Sequence, residues 1–420
     1  MRTKFLIVVN DPAFFVAQHM HIGHGARDEG YDVHVAGPSG EGTAEIRANG
    51  FHFHPVRISR GKVRLHRELI ALWDLYRLYR RICPQLVYHI TLKAILYGTL
   101  AARWSGVPAV VNANTGLGYS FIDEGKSIVL MRHCLEAIYR RGIRHANRHD
   151  LFLNPDDREL FISKGLASDD NSSVITGPGV DMDLFLPLPE PHSVPVVVLA
   201  SRMLWHKGVE EFVEAAHMLR MRGVKARFVL VGKPDPGNLA TVTRSTLLSW
   251  KRDGVVEWWG YCRYMEEVFA RSHIVVLPSY REGLGKVLIE GAACARPLVA
   301  TDVPGCREIA RDNQNALLVR PRDSYALADA LGQLIADASL RRRLGRRGRE
   351  IAETEFSLRV ICQLTMAICL RMLPPARRPH HLRLVQTARG DERWNNEEPV
   401  LAHCNGAISL AEAGSIHRGS

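Results

Sequence analysis

Residues Ile274–Arg296 read IVVLPSYREGLGKVLIEGAACAR. Ile274–Leu277 is a short continuous apolar run of the kind buried strands use, and Pro278 ends it. A turn follows, and a helical pattern opens near Gly283–Leu284 and runs to Ala295. A strand that feeds a turn and then a helix is half of a βαβ unit, the repeat from which parallel sheets are wound. The alternation continues on both sides. Val196–Ala200, Ala226–Val231 and Val255–Trp258 read as strands, Val209–Met221 as a helix, and Pro297–Ala300 as a further strand.

The first third of the chain follows the same rule. Phe5–Val9 is an apolar strand, Val16–Glu29 has helical character, and Tyr31–Ala36 is a strand, with Gly30 placed to cap the helix. Leu69–Arg81 and Leu92–Ser105 read as helices, and Leu86–Tyr88 and Pro108–Asn112 as strands. Between the two series lies Pro187–Pro195, PLPEPHSVP, with four prolines in nine positions. That composition makes a linker rather than an element. The expected organisation is α/β: a doubly wound domain over 1–187, a linker over 188–195 and a second such domain over 196–356. A helical segment over 357–372 follows, and an aperiodic tail over 373–420 that should be mobile.

Composition agrees. The 420 residues are 46% hydrophobic and 24% charged, which excludes a disordered or fibrous chain. At roughly 150 residues per domain this length suggests two or three domains, each with its own core. No apolar run approaches the ~20 residues of a membrane-spanning helix. The basic start is followed by only five apolar residues before Asn10, Asp11 and Pro12, which suits a first buried strand better than a signal peptide. The eight cysteines are scattered without a CxxC pair and read as reduced, cytosolic thiols. Lys and Arg total 55 against 44 Asp and Glu, a net +11 that attracts anions. Nucleic acid is the weakest candidate among them, because no nucleic-acid module signature is present and aromatics are only 7%.

Ligands of open parallel sheets bind beyond the carboxyl ends of the strands. Chemistry should therefore sit just after Ala200, Val231 and Leu277. Ala200–Gly208, ASRMLWHKG, puts Arg202 and Lys207 in such a loop, where they can neutralise a diphosphate or stand as ordinary surface cations. In the opening stretch, Gly283 and Gly285 let backbone approach a ligand, and a helix N-terminus suits a phosphate. Glu282 and Glu290 are eight positions apart, which along one helix is roughly 12 Å. That spacing serves two contacts on one long ligand and not an acid/base dyad, although Glu290 alone reads equally well as a solvated face. Asn112, Asn114, Thr115 and Gly116 leave a strand toward the same cleft, and His89 is either a contact there or a core histidine. His19, His21 and His24 lack the carboxylates a metal site would add. Asp181-Met-Asp183 reads as a turn, so no metal ligands are assigned.

Basic residues collect in two other places. Arg57, Arg60, Lys62, Arg64 and Arg67 precede the apolar-stepped Leu69–Tyr79. Arg132, Arg140, Arg141, Arg144 and Arg148 accompany Ile128–Met131. Both suit an acidic membrane surface or a solvated helix face. Arg341–Arg349, RRRLGRRGR, reads as solvated.

Taken together, SRMLWHKG, LVG at Leu230–Gly232, LPSYREG with Glu282 and Glu290, and ATDVPGCREI at Ala300–Ile309 resemble the retaining glycosyltransferases of family 4. The N-terminal half, with NDPAFFVAQH (Asn10–His19), YHITLKAILYG (Tyr88–Gly98), VVNANTGLGYSF (Val110–Phe121), NPDDRELFISKGL and GPGVD (Gly177–Asp181), is similar to bacterial enzymes that extend capsular, O-antigen and lipid-linked oligosaccharides. The similarity spans residues 1–372.

The resemblance implies the GT-B fold, two Rossmann-like domains facing across a cleft. The first would bind the acceptor and the second the nucleotide sugar, with the final helix crossing back to the first domain. It implies Arg202, Lys207 and Glu282 as the catalytic set. Gly232, Gly283, Leu284, Gly285, Lys286 and Glu290 would hold the donor, with Glu290 on the ribose. His19, His89, Asn114, Thr115 and Gly116 are the candidates for the acceptor. It further implies transfer from a nucleotide sugar, most simply a UDP-sugar, to a polyprenyl-diphosphate saccharide without a metal or other cofactor. The place would be the cytoplasmic face of the inner membrane, by peripheral contact and with no nucleic-acid partner. Two alternatives share the architecture: a catalytically impaired scaffold or binding protein, and a nucleotide-sugar epimerase. The chain departs from the family pattern at Ala17-Gln18-His19, where relatives carry Ser-His-Arg, at Ala94 and Gly285, where they carry proline, and at Pro178. The first departure bears on acceptor recognition.

Overall fold

The computed structural model describes residues 3–58, 65–115, 140, 145–238 and 240–373. The N-terminal lobe runs β1 (Lys4–Val9), α1 (Pro12–Asp28), β2 (Asp32–Gly37), α2 (Thr43–Ala48), β3 (His52–Pro55), α3 (Leu65–Ile82), β4 (Leu86–Ile90), α4 (Leu92–Ser105), β5 (Ala109–Asn114), β6 (Arg148–Phe152), α5 (Pro155–Ser163) and β7 (Ser172–Val174). Its seven strands are all parallel, in the order β3-β2-β1-β4-β5-β6-β7. Phe5–Val9 is fully buried because helices cover both faces, which is why β1 reads as an unbroken apolar run.

The C-terminal lobe runs β8 (Val196–Ala200), a 3₁₀ turn at Trp205–Lys207, α6 (Val209–Met221), β9 (Arg227–Val231), α7 (Arg244–Arg252), β10 (Glu257–Gly260), α8 (Met265–Ala270), β11 (Ile274–Leu277), α9 (Lys286–Ala293), β12 (Leu298–Thr301), β13 (Ala316–Val319), α10 (Ser324–Ala336) and α11 (Ala338–Glu355). Its six parallel strands are ordered β10-β9-β8-β11-β12-β13. Strand order reverses between β1 and β4 in one sheet and between β8 and β11 in the other. Those are the switch points where such sheets open a crevice.

The last described helix, α12 (Leu358–Arg371), belongs to the N-terminal lobe although it follows the C-terminal one. Ile361, Met366, Ile368 and Cys369 share a core with Phe5, Ile7 and Ile22. Gly25 allows α1 and α12 to approach, since a Cβ there would collide with the Cys362 sulfur. The chain passes between the lobes at two adjacent points. Val180 N–H donates to the Phe356 carbonyl at 2.9 Å, and Leu358 N–H donates to the Val180 carbonyl at 3.1 Å.

Several local expectations are corrected. α1 starts four residues before Val16, because Asp11 caps it through Oδ1 and Pro12 fits the first turn. α9 starts at Lys286 rather than near Gly283, because Gly285 N–H is committed to the Gly305 carbonyl at 2.7 Å. β6 gave no strand signal because its RHDLF sequence buries a charge pair, Arg148 with Asp150 at 2.9 Å. Arg148 is therefore interior and contributes nothing to a basic surface. Arg341 and Arg349 are not solvated either. Arg341 pairs with Glu190 at 2.9 Å, and Arg349 donates to the carbonyls of Phe185 and Ala293. Arg341, together with Arg296 donating to the Pro189 carbonyl, fastens the proline-rich linker to the C-terminal lobe, and Arg349 holds the segment just before it. Arg60, Lys62, Arg64, Arg132, Arg141, Arg144 and the tail beyond residue 373 lie outside the described residues.

Candidate active site

The two loops that leave β8 and β11 meet at one charge pair. Lys207, at the end of the 3₁₀ turn, forms an ion pair with Glu282, and both side chains are largely buried. Ser279 Oγ donates to the same Glu282 oxygen at 2.7 Å. Gly208 makes this approach possible. It sits at φ +71°, and a Cβ would fall on the Pro278 carbonyl. Glu282 N–H donates to the Pro304 carbonyl, so the 282–285 loop lies flat on the 304–305 turn. Glu282 is thus on the loop ahead of α9, in keeping with a helix that opens after it in the sequence. The 12 Å helical spacing expected between Glu282 and Glu290 does not apply.

Gly285 explains its own departure from the family pattern. Its amide is used in the bond to Gly305, and a proline would remove that donor. Leu284 lies between the two glycines and packs against the C-terminal core. α9 then begins at Lys286 with no side-chain cap, so its N-terminus presents backbone dipole to the cleft. Glu290 is buried one turn into α9 and pairs with Lys286 at 3.2 Å. Burial raises the Glu290 carboxyl above its usual range, and Lys286 acts against that. Gly232, at φ +141°, donates to the Gly260 carbonyl at 2.7 Å, and a Cβ there would strike the Ser201 carbonyl. Arg202 is not part of the Lys207–Glu282 pair. It is 56% exposed and pairs with Asp235 at 3.0 Å.

On the opposite side, α1 and the end of β5 enclose a small cavity of about 20 Å³ lined by His19, His21, Asn114, Thr115 and Pro178, among others. The Nε2 atoms of His19 and His21 are buried there without a hydrogen-bond partner. Burial drives His19 down to about 3 and His21 to about 4, and the charge on Lys286 adds to both shifts. Lys286 belongs to the C-terminal lobe, so its field reaches these histidines across the cleft. Burial thus favours the neutral form of both imidazoles.

The structure removes His89 from the cleft. It is 0% exposed, donates from Nδ1 to Asn112 Oδ1 at 2.8 Å and accepts from Tyr79 Oη at 2.9 Å. Asn112 in turn donates to Asp150 at 2.9 Å. His89 and Asn112 are parts of a buried network inside the sheet. Gly116 lies outside the described residues. Asp181 Oδ1 accepts from the amides of Asp183 and Leu184, a turn as expected from the sequence.

Two features were not found by sequence reading. Thr91, at the end of β4 beside the switch point, holds φ +81° and ψ 151°, a region nearly reserved for glycine. Its buried hydroxyl has no partner. Strain of this kind leaves no mark in composition or periodicity. His21 enters the sequence reading only beside His19 and His24, as a metal site that lacks carboxylates, and its place on one cavity with His19 is set by the fold.

The model for glycosyl transferases group 1 matches residues 194–337, and that for glycosyl transferase 4-like domains matches residues 4–148. The chain belongs to the group 1, family 4-like glycosyltransferases. Among curated relatives, this glycosyltransferase is 26% identical over 360 residues to the N,N'-diacetylbacillosaminyl-diphospho-undecaprenol alpha-1,3-N-acetylgalactosaminyltransferase of Campylobacter jejuni. That match covers 83% of this chain and 93% of the relative. Among solved structures, a glycosyltransferase from Rickettsia africae superposes with a TM-score of 0.71 at 16% identity, covering 88% of this chain and 98% of its own. Anabaena Alr3699/HepE, solved in complex with UDP and glucose, superposes with a TM-score of 0.70 at 18% identity, covering 88% and 100%. These superpositions establish the GT-B fold. No described helix is long and apolar enough to cross a membrane.

Proposed function

We propose that this glycosyltransferase moves a sugar from a UDP-sugar to a polyprenyl-diphosphate-linked saccharide with retention of anomeric configuration. The C-terminal lobe takes the donor and the N-terminal lobe the acceptor. The observation that carries the reading is the Lys207–Glu282 pair at the β8/β11 switch point, beside the uncapped start of α9 and opposite the unpartnered His19 and His21. Lys207, Arg202 and the α9 N-terminus supply positive potential for a diphosphate. Gly283, Gly285 and Lys286 line its approach, Glu290 accepts from ribose hydroxyls, and Glu282 faces the sugar. The sugar–diphosphate C–O bond breaks as the acceptor oxygen bonds to the same face of the anomeric carbon. The acceptor proton passes to the departing diphosphate.

The Campylobacter relative is named for a diphospho-undecaprenol substrate, and the Anabaena structure contains UDP and glucose; both support the reading. His19, His21, Asn114 and Thr115 would receive acceptor hydroxyls. Contact with the inner membrane surface would come through α3, where Leu69 and Trp73 are 59% and 57% exposed on one face. The testing experiment incubates the full chain in EDTA with a panel of UDP-sugars and extracted polyprenyl-diphosphate saccharides, then reads the product anomer by NMR. Transfer with the donor's α-configuration kept is expected. UDP binding without transfer to any acceptor would favour the scaffold alternative, and no UDP binding would overturn the proposal.

A further inference from the structure

The lobes meet beside Glu282 through groups that sequence reading did not single out. Asn154 is the N-cap of α5, fully buried, with Oδ1 accepting from Asp157 N–H at 2.7 Å. Its Nδ2 donates both to Asp157 Oδ2 at 3.1 Å and across the cleft to the Gly283 carbonyl at 2.9 Å. Asp157, also buried, uses its other oxygen for an ion pair with Arg281. Arg281 and Gly283 are the residues on either side of Glu282. The N-terminal lobe therefore grips the chain immediately before and after the glutamate that pairs with Lys207.

We propose that Asn154 and Asp157 are positioning residues that fix the Glu282 loop from the opposite lobe, so that the Lys207–Glu282 pair is set for transfer only while the lobes are engaged. Three properties separate this from incidental contact. The gripping groups are interior, whereas the outer pair Arg307–Asp156 is 3.8 Å apart and solvated, of the kind that contributes little. The Asn154 amide is the donor that reaches the loop backbone, so its hold does not depend on a flexible side chain of the loop. Asp157 is held rigid by the helix start before it meets Arg281, which lowers the entropy cost of the pair. Misplacement of reacting groups by about 1 Å is enough to cost on the order of a hundredfold in rate.

The proposal rests on the glycosyl-transfer reading of the cleft, and its test has one arm that does not. Asn154→Ser keeps the cap oxygen but is too short to reach Gly283. Arg281→Gln removes the charge pair, Arg281→Lys keeps it in part, and Arg307→Gln serves as a control outside the grip. Small-angle X-ray scattering of the full chain without ligand should show a larger radius of gyration for Asn154→Ser and Arg281→Gln, and no change for Arg307→Gln. With the UDP-sugar that the assay selects, kcat should fall at least about tenfold in those two variants. The UDP dissociation constant should move less than about twofold, and Arg281→Lys should recover part of the rate. An unchanged radius overturns the proposal, with or without a working assay. So does a loss of UDP affinity in proportion to kcat, which would mark a donor-site defect instead. If no UDP-sugar is turned over, the function fails on its own test while the scattering still decides the grip.

Discussion

Lys207 and Glu282 neutralise each other across the two loops that leave the neighbouring strands β8 and β11. The pair is mostly shielded from water, so its geometry is fixed before any ligand arrives. A diphosphate entering the cleft would compete with Glu282 for the Lys207 ammonium. Replacing Lys207 by Ala should lower kcat by about a hundredfold, the usual cost of losing one preorganised charge at a leaving group. The same change leaves Glu282 without its cation, so a lower melting midpoint should accompany it. Combining Lys207→Ala with Glu282→Ala should recover part of that stability, as thermal melts of the single and double variants would reveal.

Glu290→Gln separates binding from rate. Glu290 is buried in α9 and held by Lys286. Its amide substitute keeps the size but loses the charge that the proposed ribose contact uses. The UDP dissociation constant should rise about tenfold, while kcat at saturating donor changes less than about threefold. Calorimetry with UDP and steady-state kinetics check both halves.

Gly208→Ala should lower the melting midpoint by several degrees and the rate together. Its φ of +71° is unfavourable for alanine, by about 1 kcal/mol or more, and the new methyl would press on the Pro278 carbonyl. Lys207 is the preceding residue, so the strain would be released by displacing the ion pair.

Acidification should destabilise the fold before carboxylates titrate. His19, His21 and His89 are depressed to about 3, 4 and 4 in the folded chain by burial. The unfolded chain takes up their protons near pH 6.5, so between that pH and about 4 it binds more protons than the folded one. Stability is complete above pH 6.5 and falls as pH drops, by up to about 1.4 kcal/mol per unit for each buried histidine. His19→Gln should flatten this slope in melts recorded from pH 7.5 to 4.5.

Membrane contact through α3 predicts a further separation. Leu69→Glu with Trp73→Glu should cut co-sedimentation with anionic phosphatidylglycerol vesicles at least about fivefold, since both sites are surface-exposed. The melting midpoint should stay unchanged, and zwitterionic vesicles should bind weakly before and after.

Much of the fold was legible in the sequence because parallel strands buried on both faces are written as apolar runs, as in Phe5–Val9 and Val196–Ala200. The carboxyl ends of those strands pointed to the loops of Lys207 and Glu282, whereas the switch points themselves needed the strand order of the fold. What stayed hidden was tertiary. β6 carries Arg148 and Asp150, whose mutual neutralisation in the interior no hydropathy pattern announces. His89 left two readings open, cleft contact or core histidine, and the core one holds because its partners Tyr79 and Asn112 come from elements that only folding brings together. Asn154 caps α5, but its bond to the Gly283 carbonyl exists only because the opposite lobe lies beside it.

The placement of α12 has a consequence for synthesis. Domains of a nascent chain ordinarily fold in the order in which they emerge. Here the C-terminal lobe has all its strands once Val319 is made and its helices by Glu355. The N-terminal lobe, although translated first, lacks Ile361, Met366, Ile368 and Cys369 until the ribosome has passed α12. Phe5, Ile7 and Ile22 must wait through more than 300 residues of elongation for the helix that completes their core. The half made first is the half finished last.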